Sequence, residues 1–296
     1  MCIQVQQITY IHPDKEVLFR NLSFTVGKGR QLALIGNNGC GKSTLLQIMA
    51  GKLQPSSGNV LRPDDLYYVP QHFGQYDEMS IAQALGIDRK QKALHEILNG
   101  NASIDHFNIL DDDWNIEEKA LAALNGWGLG NRSLSESMHT LSGGEKTRVF
   151  LAGLELQEPP AVLMDEPTNG LDIPGKSQFR KFIASGMTDD KTILISTHQV
   201  RDIDKVLDHV LIMDNSRVLL NESTMSICDK LFFTESENRE LLQSSLFSTP
   251  SIQGNFLLLP NESGEDSEIN LELLFNATLA VPERISALFH SKQTEL

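Results

Sequence analysis

Cysteine is scarce and scattered. The chain's three, Cys2, Cys40 and Cys228, lie too far apart for a disulfide framework and follow no zinc-ligand spacing, which fits a reducing compartment. Basic residues are outnumbered, 25 Lys and Arg against 39 Asp and Glu. A net charge of −14 argues against broad, sequence-independent nucleic-acid binding, which depends on Lys and Arg, so no direct nucleic-acid contact is expected. Long apolar runs are missing as well: NFLLLP falls far short of the roughly 18 residues of a membrane span. The opening MCIQVQQITYIHPDKE has neither a basic n-region nor an apolar h-region, which predicts no signal peptide. Without one, the N-x-S/T matches at Asn21, Asn101, Asn131, Asn221, Asn261 and Asn276 read as chance. No internal repeat occurs at any period. These absences together predict a soluble, cytoplasmic protein.

What is present is an ordinary globular composition, 40% hydrophobic and 22% charged over 296 residues, enough for one large or two modest domains. IQVQQITY and VLFRNLSFTV alternate in period two and predict an antiparallel strand pair. RQLALIG is continuously apolar, as in a strand buried on both faces, and KSTLLQIMAGKL then takes helical periodicity. A turn, QPSSGN, is expected before a short strand, LYYVPQ, ending at Gln71. Residues 74–140 are acidic, helical in pattern and without a convincing strand, and read as an inserted helical subdomain. A helix from Gly143 to about Gln157 leads to a second buried strand, AVLMDEP; a third, KTILIST, follows the helical stretch FRKFIASGM. HVLIMDNSRVLLNES reads as a hairpin turning at Asn215-Ser216. Beyond about residue 222 only NFLLLP suggests a strand, with helices at INLELLFNATL and VPERISALFH.

The chemistry concentrates in two places. Gly36-x4-Gly41-Lys42-Ser43, between a strand and a helix, is a phosphate loop. Its backbone N–H groups wrap phosphates, Lys42 reaches the outer ones, and the Ser43 hydroxyl suits Mg²⁺. Loop residues Gly36, Asn37, Asn38, Gly39, Cys40, Gly41, Lys42, Ser43 and Thr44 are therefore candidate nucleotide contacts. The strand AVLMDE ends in Asp165 and Glu166, suited to holding the metal and activating water respectively. About a hundred residues beyond Lys42, LSGGEKTRVF opens a helix with Ser142, Gly143 and Gly144, a second anion site by its exposed N–H groups and helix dipole. Asp111-Asp112-Asp113 reads as solvated helix-terminal acid rather than metal ligands, Cys40 as a variable loop position rather than a thiolate, and Trp114 and Trp127 as packing for the helical subdomain.

GNNGCGKST, the Gln71 of YVPQ, LSGGE, LMDEPTNGLD and the His198 of STHQ stand in an order and spacing that resembles an ATP-binding cassette over residues 1–221. The resemblance implies an α/β fold: a phosphate-loop NTPase core of mostly parallel sheet with helices, an antiparallel β subdomain, the helical subdomain at about 74–157, and a small C-terminal extension, 222–296. It implies an Mg²⁺-dependent ATPase with Glu166, His198 and Gln71 in catalysis and Ser43, Gln71 and Asp165 at the metal. Tyr10 would stack on adenine, His198 would contact the γ-phosphate, and Asp172 would couple two sites. It also explains the second anion loop, because two such cassettes pack head to tail and Ser142, Gly143 and Gly144 of one cap the ATP held by Lys42 of the other. The implied partner is a second cassette, either the same chain or a paralogue.

Two branches of that family are represented. The helical subdomain and LSGGEKTRVFLAGL resemble the duplicated-cassette (ABC-F) ATPases, which implies a soluble ATPase acting on ribosomes. From Asn169 onward, NGLDIPGKSQFRKF, ISTHQVRDIDKVLDHVLIMDNSRVLL and the acidic tail are similar to ATPase subunits of bacterial exporter-type transporters. That implies an integral-membrane permease as partner, with the chain peripheral on the inner face of the cell membrane. The single cassette and the C-terminal third favour the transporter branch. A nucleotide-binding regulatory module without turnover is a third alternative, against which Glu166 and His198 argue.

Overall fold

The computed structural model describes residues 3–186, 190–198 and 207–290. Cys2, Met187 at the end of FRKFIASGM, residues 199–206 of the STHQVRDIDKVLDHV run and residues 291–296 of the C-terminal extension lie outside the described residues.

Alternating apolar residues turn one face of β1 (Ile3–Ile11) and β2 (Val17–Val26) inward, and the two pair antiparallel with Ile3 opposite Val26 and Tyr10 opposite Phe19. β3 (Gln31–Gly36) is buried from Leu32 onward and leads through the glycine loop into α1 (Lys42–Met49). Where QPSSGN reads as a turn, the chain from Ser57 is instead a strand, β4 (Ser57–Leu61), on the free side of β1. It is an edge strand exposed at every position but Val60, so no apolar alternation announces it. β5 (Leu66–Val69) stops before Gln71 because Pro70 has no N–H to donate to the ladder.

The helical stretch comprises α2 (Ile81–Ala84), α3 (Asp88–Leu98), α4 (Ile104–Leu110), α5 (Ile116–Gly126) and α6 (Gly143–Gln157). Among its described residues the only sheet-like pairing is an isolated bridge, Ser80 to Ser137. Trp127 is fully buried there; its ring meets Phe182 edge-on at 5.4 Å and its Nε1 donates to Glu155 at 3.0 Å. Trp114, expected to pack the subdomain, is instead exposed and touches only the edge of Phe107 among aromatic rings. Asp111 caps the end of α4, and Asp113 accepts from Lys90 and Lys119, so the acidic triplet is spent on a turn and ion pairs.

β6 (Ala161–Asp165), α7 (Ile173–Gly186), β7 (Thr192–Thr197), β8 (His209–Asp214) and β9 (Arg217–Ser223) complete a six-stranded sheet of order β5-β6-β7-β3-β8-β9. It is parallel except for the β8–β9 hairpin, which turns at Asn215 and Ser216, both at positive φ as the twist of a tight hairpin requires. Alternate residues of its strands enter different cores. Leu32, Leu34, Leu163 and Leu194 pack with β1, β2 and α1, whereas Ala33, Ile35, Val162 and Ile193 pack with the helical stretch.

The C-terminal segment holds more structure than NFLLLP and two helices. It runs α8 (Thr224–Lys230), β10 (Leu231–Ser236), α9 (Arg239–Ser244), β11 (Phe247–Ser251), β12 (Gly254–Pro260), α10 (Leu271–Ala280) and α11 (Pro282–His290), with an antiparallel sheet of order β10-β12-β11. β11 carries Pro250, which is tolerated because β11 is an edge. Leu274 and Ala277 of α10 share an apolar cluster with Val210, Ile212 and Leu220 of the main sheet.

Trp127→Ala is expected to destabilise the chain by about 3–5 kcal/mol, since it opens a large cavity in the core. Equilibrium denaturation of the variant, followed by circular dichroism, checks this value.

Candidate functional site

The carboxyl ends of β3 and β6 deliver the charged groups to one place. Gly41, at φ 99°, lets the loop after β3 turn into α1, a conformation a side chain would resist. Lys42, the first residue of α1, is 6% exposed and folds back so that Nζ donates to the carbonyls of Gly36 at 2.8 Å and Asn37 at 3.2 Å. Its Nζ also lies 3.7 Å from Glu166 Oε1. Ser43 Oγ lies 3.0 Å from Asp165 Oδ1 and 3.4 Å from Gln71 Oε1, which brings a hydroxyl, a carboxylate and an amide oxygen together.

Asp165 and Glu166 are 1% and 4% exposed. Burial raises the proton affinity of Asp165, opposed by hydrogen bonds from Ser196 and Ser43. Ser196, on β7, serves both acids: its Oγ donates to Asp165 Oδ1 at 2.7 Å and accepts from the Glu166 N–H at 3.1 Å. Glu166 sits at φ 50°, a left-handed conformation that swings its side chain away from the strand toward His198. There Glu166 Oε2 meets His198 Nδ1 at 2.7 Å.

Lys42, Ser43, Gln71 and Glu166 border a cleft of about 360 Å³. Asn38, Gly39, Gly41, Lys42, Ser43, Thr44, Gln71 and Glu166 line it, as the sequence leads one to expect. Other sequence candidates, Asp165 and His198 included, stand apart from its wall. Gly36 lies buried at the end of β3, and Asn37 reaches aside to Asp214. Cys40 turns into the core, where burial pushes its thiol up, the opposite of a thiolate. Tyr10 does not line the cleft; its ring is wedged between His12 at 5.2 Å and Phe19 at 6.2 Å. His12 and Leu18 form that wall instead. His12, two residues beyond Tyr10 and just past the end of β1, is the next ring in the chain. Ser196 carried no sequence signal, because a buried strand serine has no fixed spacing from the loop.

Ser142, Gly143, Gly144 and Asp172 assemble elsewhere, and no residue of this group borders the cleft. Ser142 caps α6 in a closed box: its Oγ accepts from Glu145 N–H, and Glu145 Oε2 accepts from Ser142 N–H at 2.9 Å and Oγ–H at 2.8 Å. A side chain added to Gly144 would lie 2.4 Å from the Gly170 carbonyl, so the fold itself demands that glycine. One added to Gly143 would meet nothing within 4 Å. Asp172 accepts from Gly175 N–H at the start of α7 and pairs with Arg148 of α6.

A strand, glycine loop and helix, with a carboxylate pair ending a parallel strand one place removed in the same sheet, define a phosphate-loop NTPase. A sequence model described as ABC transporter matches residues 19–169, just over half of the chain, and the chain belongs to that family. It is accordingly an ATP-binding cassette of the hydrolysing kind. It is 29% identical over 222 residues to the energy-coupling factor transporter ATP-binding protein EcfA2 of Clostridium perfringens, covering 74% of this chain and 76% of that protein. The EcfA2 of Methanospirillum hungatei is 28% identical over 220 residues, 73% of this chain; the match spans only 54% of that longer relative. Among solved structures, cbiO1 from Clostridium perfringens, part of the ABC transporter complex cbiONQ, aligns with a TM-score of 0.54 at 27% identity, covering 75% of this chain and 88% of that one.

The capping box has a consequence for acid stability. Glu145 is held below its ordinary 4.5, at about 2, first by the Ser142 N–H and next by Arg132. A folded value below the unfolded one stabilises the protein fully above about pH 4.5, and that stability is lost as pH falls toward 2. Glu145→Gln is expected to lose stability less steeply than the parent between about pH 5 and pH 3, as measured by urea midpoints across that range.

Proposed function

We propose that the chain is the nucleotide-binding subunit of an ABC transporter, working as a pair of cassettes that close on MgATP and associating with an integral-membrane permease at the inner face of the membrane. One observation carries the paired reading: the two anion loops of a single chain do not share a cleft, and Gly143 faces open space although nothing in its own fold requires a glycine there. A glycine with room for a side chain suits a surface that another molecule approaches closely. The transporter reading rests on the relatives, which are named as transporter ATP-binding proteins. An alignment covering 74% of the chain must also cross residue 169, so both halves share these relatives and a division into two branches is unnecessary.

Within each cleft, Lys42 and the loop N–H groups hold the β- and γ-phosphates. Ser43, Gln71 and Asp165 form an all-oxygen donor set that fits a hard divalent cation. Mg²⁺ held there would neutralise charge on the transferring phosphoryl group. Glu166 is the candidate general base, and His198, bonded to its Oε2, fixes the carboxylate. His12, rather than Tyr10, is the ring placed to stack on adenine. Ser142, Gly143 and Gly144 of the partner close over the γ-phosphate, with Asp172 linking the two sites.

Glu166→Gln is expected to retain ATP and to lose turnover by roughly 10²-fold or more, the scale of losing a general base. Equilibrium nucleotide binding and steady-state phosphate release check the two halves of that statement; near-normal turnover would remove Glu166 from the role.

Complementation tests the pairing. Ser142→Arg is expected to bind ATP through its own Lys42 yet neither dimerise nor hydrolyse, and Lys42→Ala to fail at binding. In a mixture of the two, the heterodimer has one composite site with both defects and one with neither, so partial activity returns. Loss of ATP binding by the isolated Ser142→Arg monomer would place the loop in its own chain's site.

A further inference from the structure

The serine that opens α6 is tied to a carboxylate, an awkward neighbour for a loop meant to receive phosphate. Both donors of Ser142, its N–H and its hydroxyl, are taken by Glu145 Oε2. The other oxygen, Oε1, is taken by Arg132 Nη2 at 2.5 Å. Arg132 lies in the segment between α5 and α6 and is itself gripped through Nη1 by Glu136 Oε1 at 2.8 Å, which also accepts from Thr140 Oγ1. The side chain is three-quarters buried, and its Nε is buried without a hydrogen-bond partner among the described residues, so the two carboxylates hold its far end in place. Neither Arg132 nor Glu136 belongs to the phosphate loop, the carboxylate strand or the Ser-Gly-Gly run.

Charge arithmetic gives this arrangement a purpose. A phosphate approaching Gly143 and Gly144 meets the N–H groups of the first helical turn, which lie outside the helical ladder. It also meets the charge of Glu145, one turn away. Arg132 cancels that charge at hydrogen-bond distance and occupies Oε1, which leaves only Oε2 for the cap. Without Arg132 the cluster would keep two carboxylates and no cation, facing an anion.

We propose that Arg132 is a positioning residue for ATP-driven pairing: by neutralising and orienting Glu145 it keeps the Ser142 loop receptive to the phosphate of the partner's nucleotide. This rests on the reading that Ser142 acts across a dimer. It makes a specific demand, that the effect of losing Arg132 pass through the charge of Glu145.

The test uses the full chain in the Glu166→Gln background, with sedimentation velocity reporting the ATP concentration at half-dimerisation. Arg132→Met keeps the apolar stem and removes the charge. It is expected to raise that concentration by about ten-fold, the low end for a partly exposed charge-assisted bond. ATP binding by the isolated monomer should stay within about two-fold, since Lys42 is untouched. Arg132→Met/Glu145→Gln is expected to return to within about two-fold of the parent, because the neutral amide still accepts from Ser142 N–H and no longer repels phosphate. The proposal is overturned if Arg132→Met dimerises like the parent, or if its defect persists undiminished beside Glu145→Gln, which would mark Arg132 as merely structural. Ser142→Arg separates the two levels: if it dimerises normally, the cross-dimer reading and this proposal fall together. If it blocks dimerisation while Arg132→Met does not, only the role of Arg132 falls.

Discussion

The buried triad of Lys42, Asp165 and Glu166 is the constraint on which the rest of this chain depends. Two carboxylates and one ammonium, all below 9% exposure, sit at the carboxyl end of a parallel sheet. Uncompensated, such charges would each cost several kcal/mol. The surrounding structure supplies the compensation: loop carbonyls for Lys42, the hydroxyls of Ser43 and Ser196 for Asp165, and a backbone bend that hands Glu166 to His198. Ser196 and His198 arrive from the end of β7, and Lys42 and Ser43 from α1. The strand order, which sets β6 beside β7 and β7 beside β3, is what brings them within reach. The network uses one cation for two acids, and the leftover negative charge lies beside the oxygen donors of Ser43 and Gln71.

The legible part of the chain is the part where chemistry fixes spacing. The phosphate loop, the apolar strand ending in Asp165 and Glu166, and the cap at Ser142 each require particular residues at set intervals, and all three fold as those intervals imply. Buried parallel strands were legible for a related reason, since burial on both faces leaves a continuous apolar run. What escaped lacks such a constraint. β4 is exposed at nearly every position, and β11 is half-buried and interrupted by Pro250. Their pairing is decided by the strands beside them, β1 and β12, rather than by their own residues.

Site residues divide in the same way. Tyr10 lies in β1 and His12 just past its end, where the His12 N–H bonds the Glu16 carbonyl, and it is the second ring that reaches the cleft. Arg132 is less legible still. An arginine ten residues before Ser142 in a segment of irregular backbone has no periodicity to advertise it, and its meaning appears only when Glu145 is seen with one oxygen turned each way.

The two anion loops, separate in space, are nonetheless joined through the chain. Seven residues run from Glu166 to Asp172. That run is braced by Asn169 N–H to the Glu166 carbonyl and Leu171 N–H to the Thr168 carbonyl, with Thr168 and Leu171 buried. Its far end is pinned to α6 twice, by the Gly170 carbonyl against Gly144 and by Asp172 on Arg148. A displacement of α6 would pull on this braced run, whose other end is the backbone of Glu166 at positive φ. On the proposed reading, the helix that feels the partner's phosphate and the carboxylate that activates water at its own nucleotide share one short, tightly bonded segment. Closure at one nucleotide and alignment at the other then become the same movement.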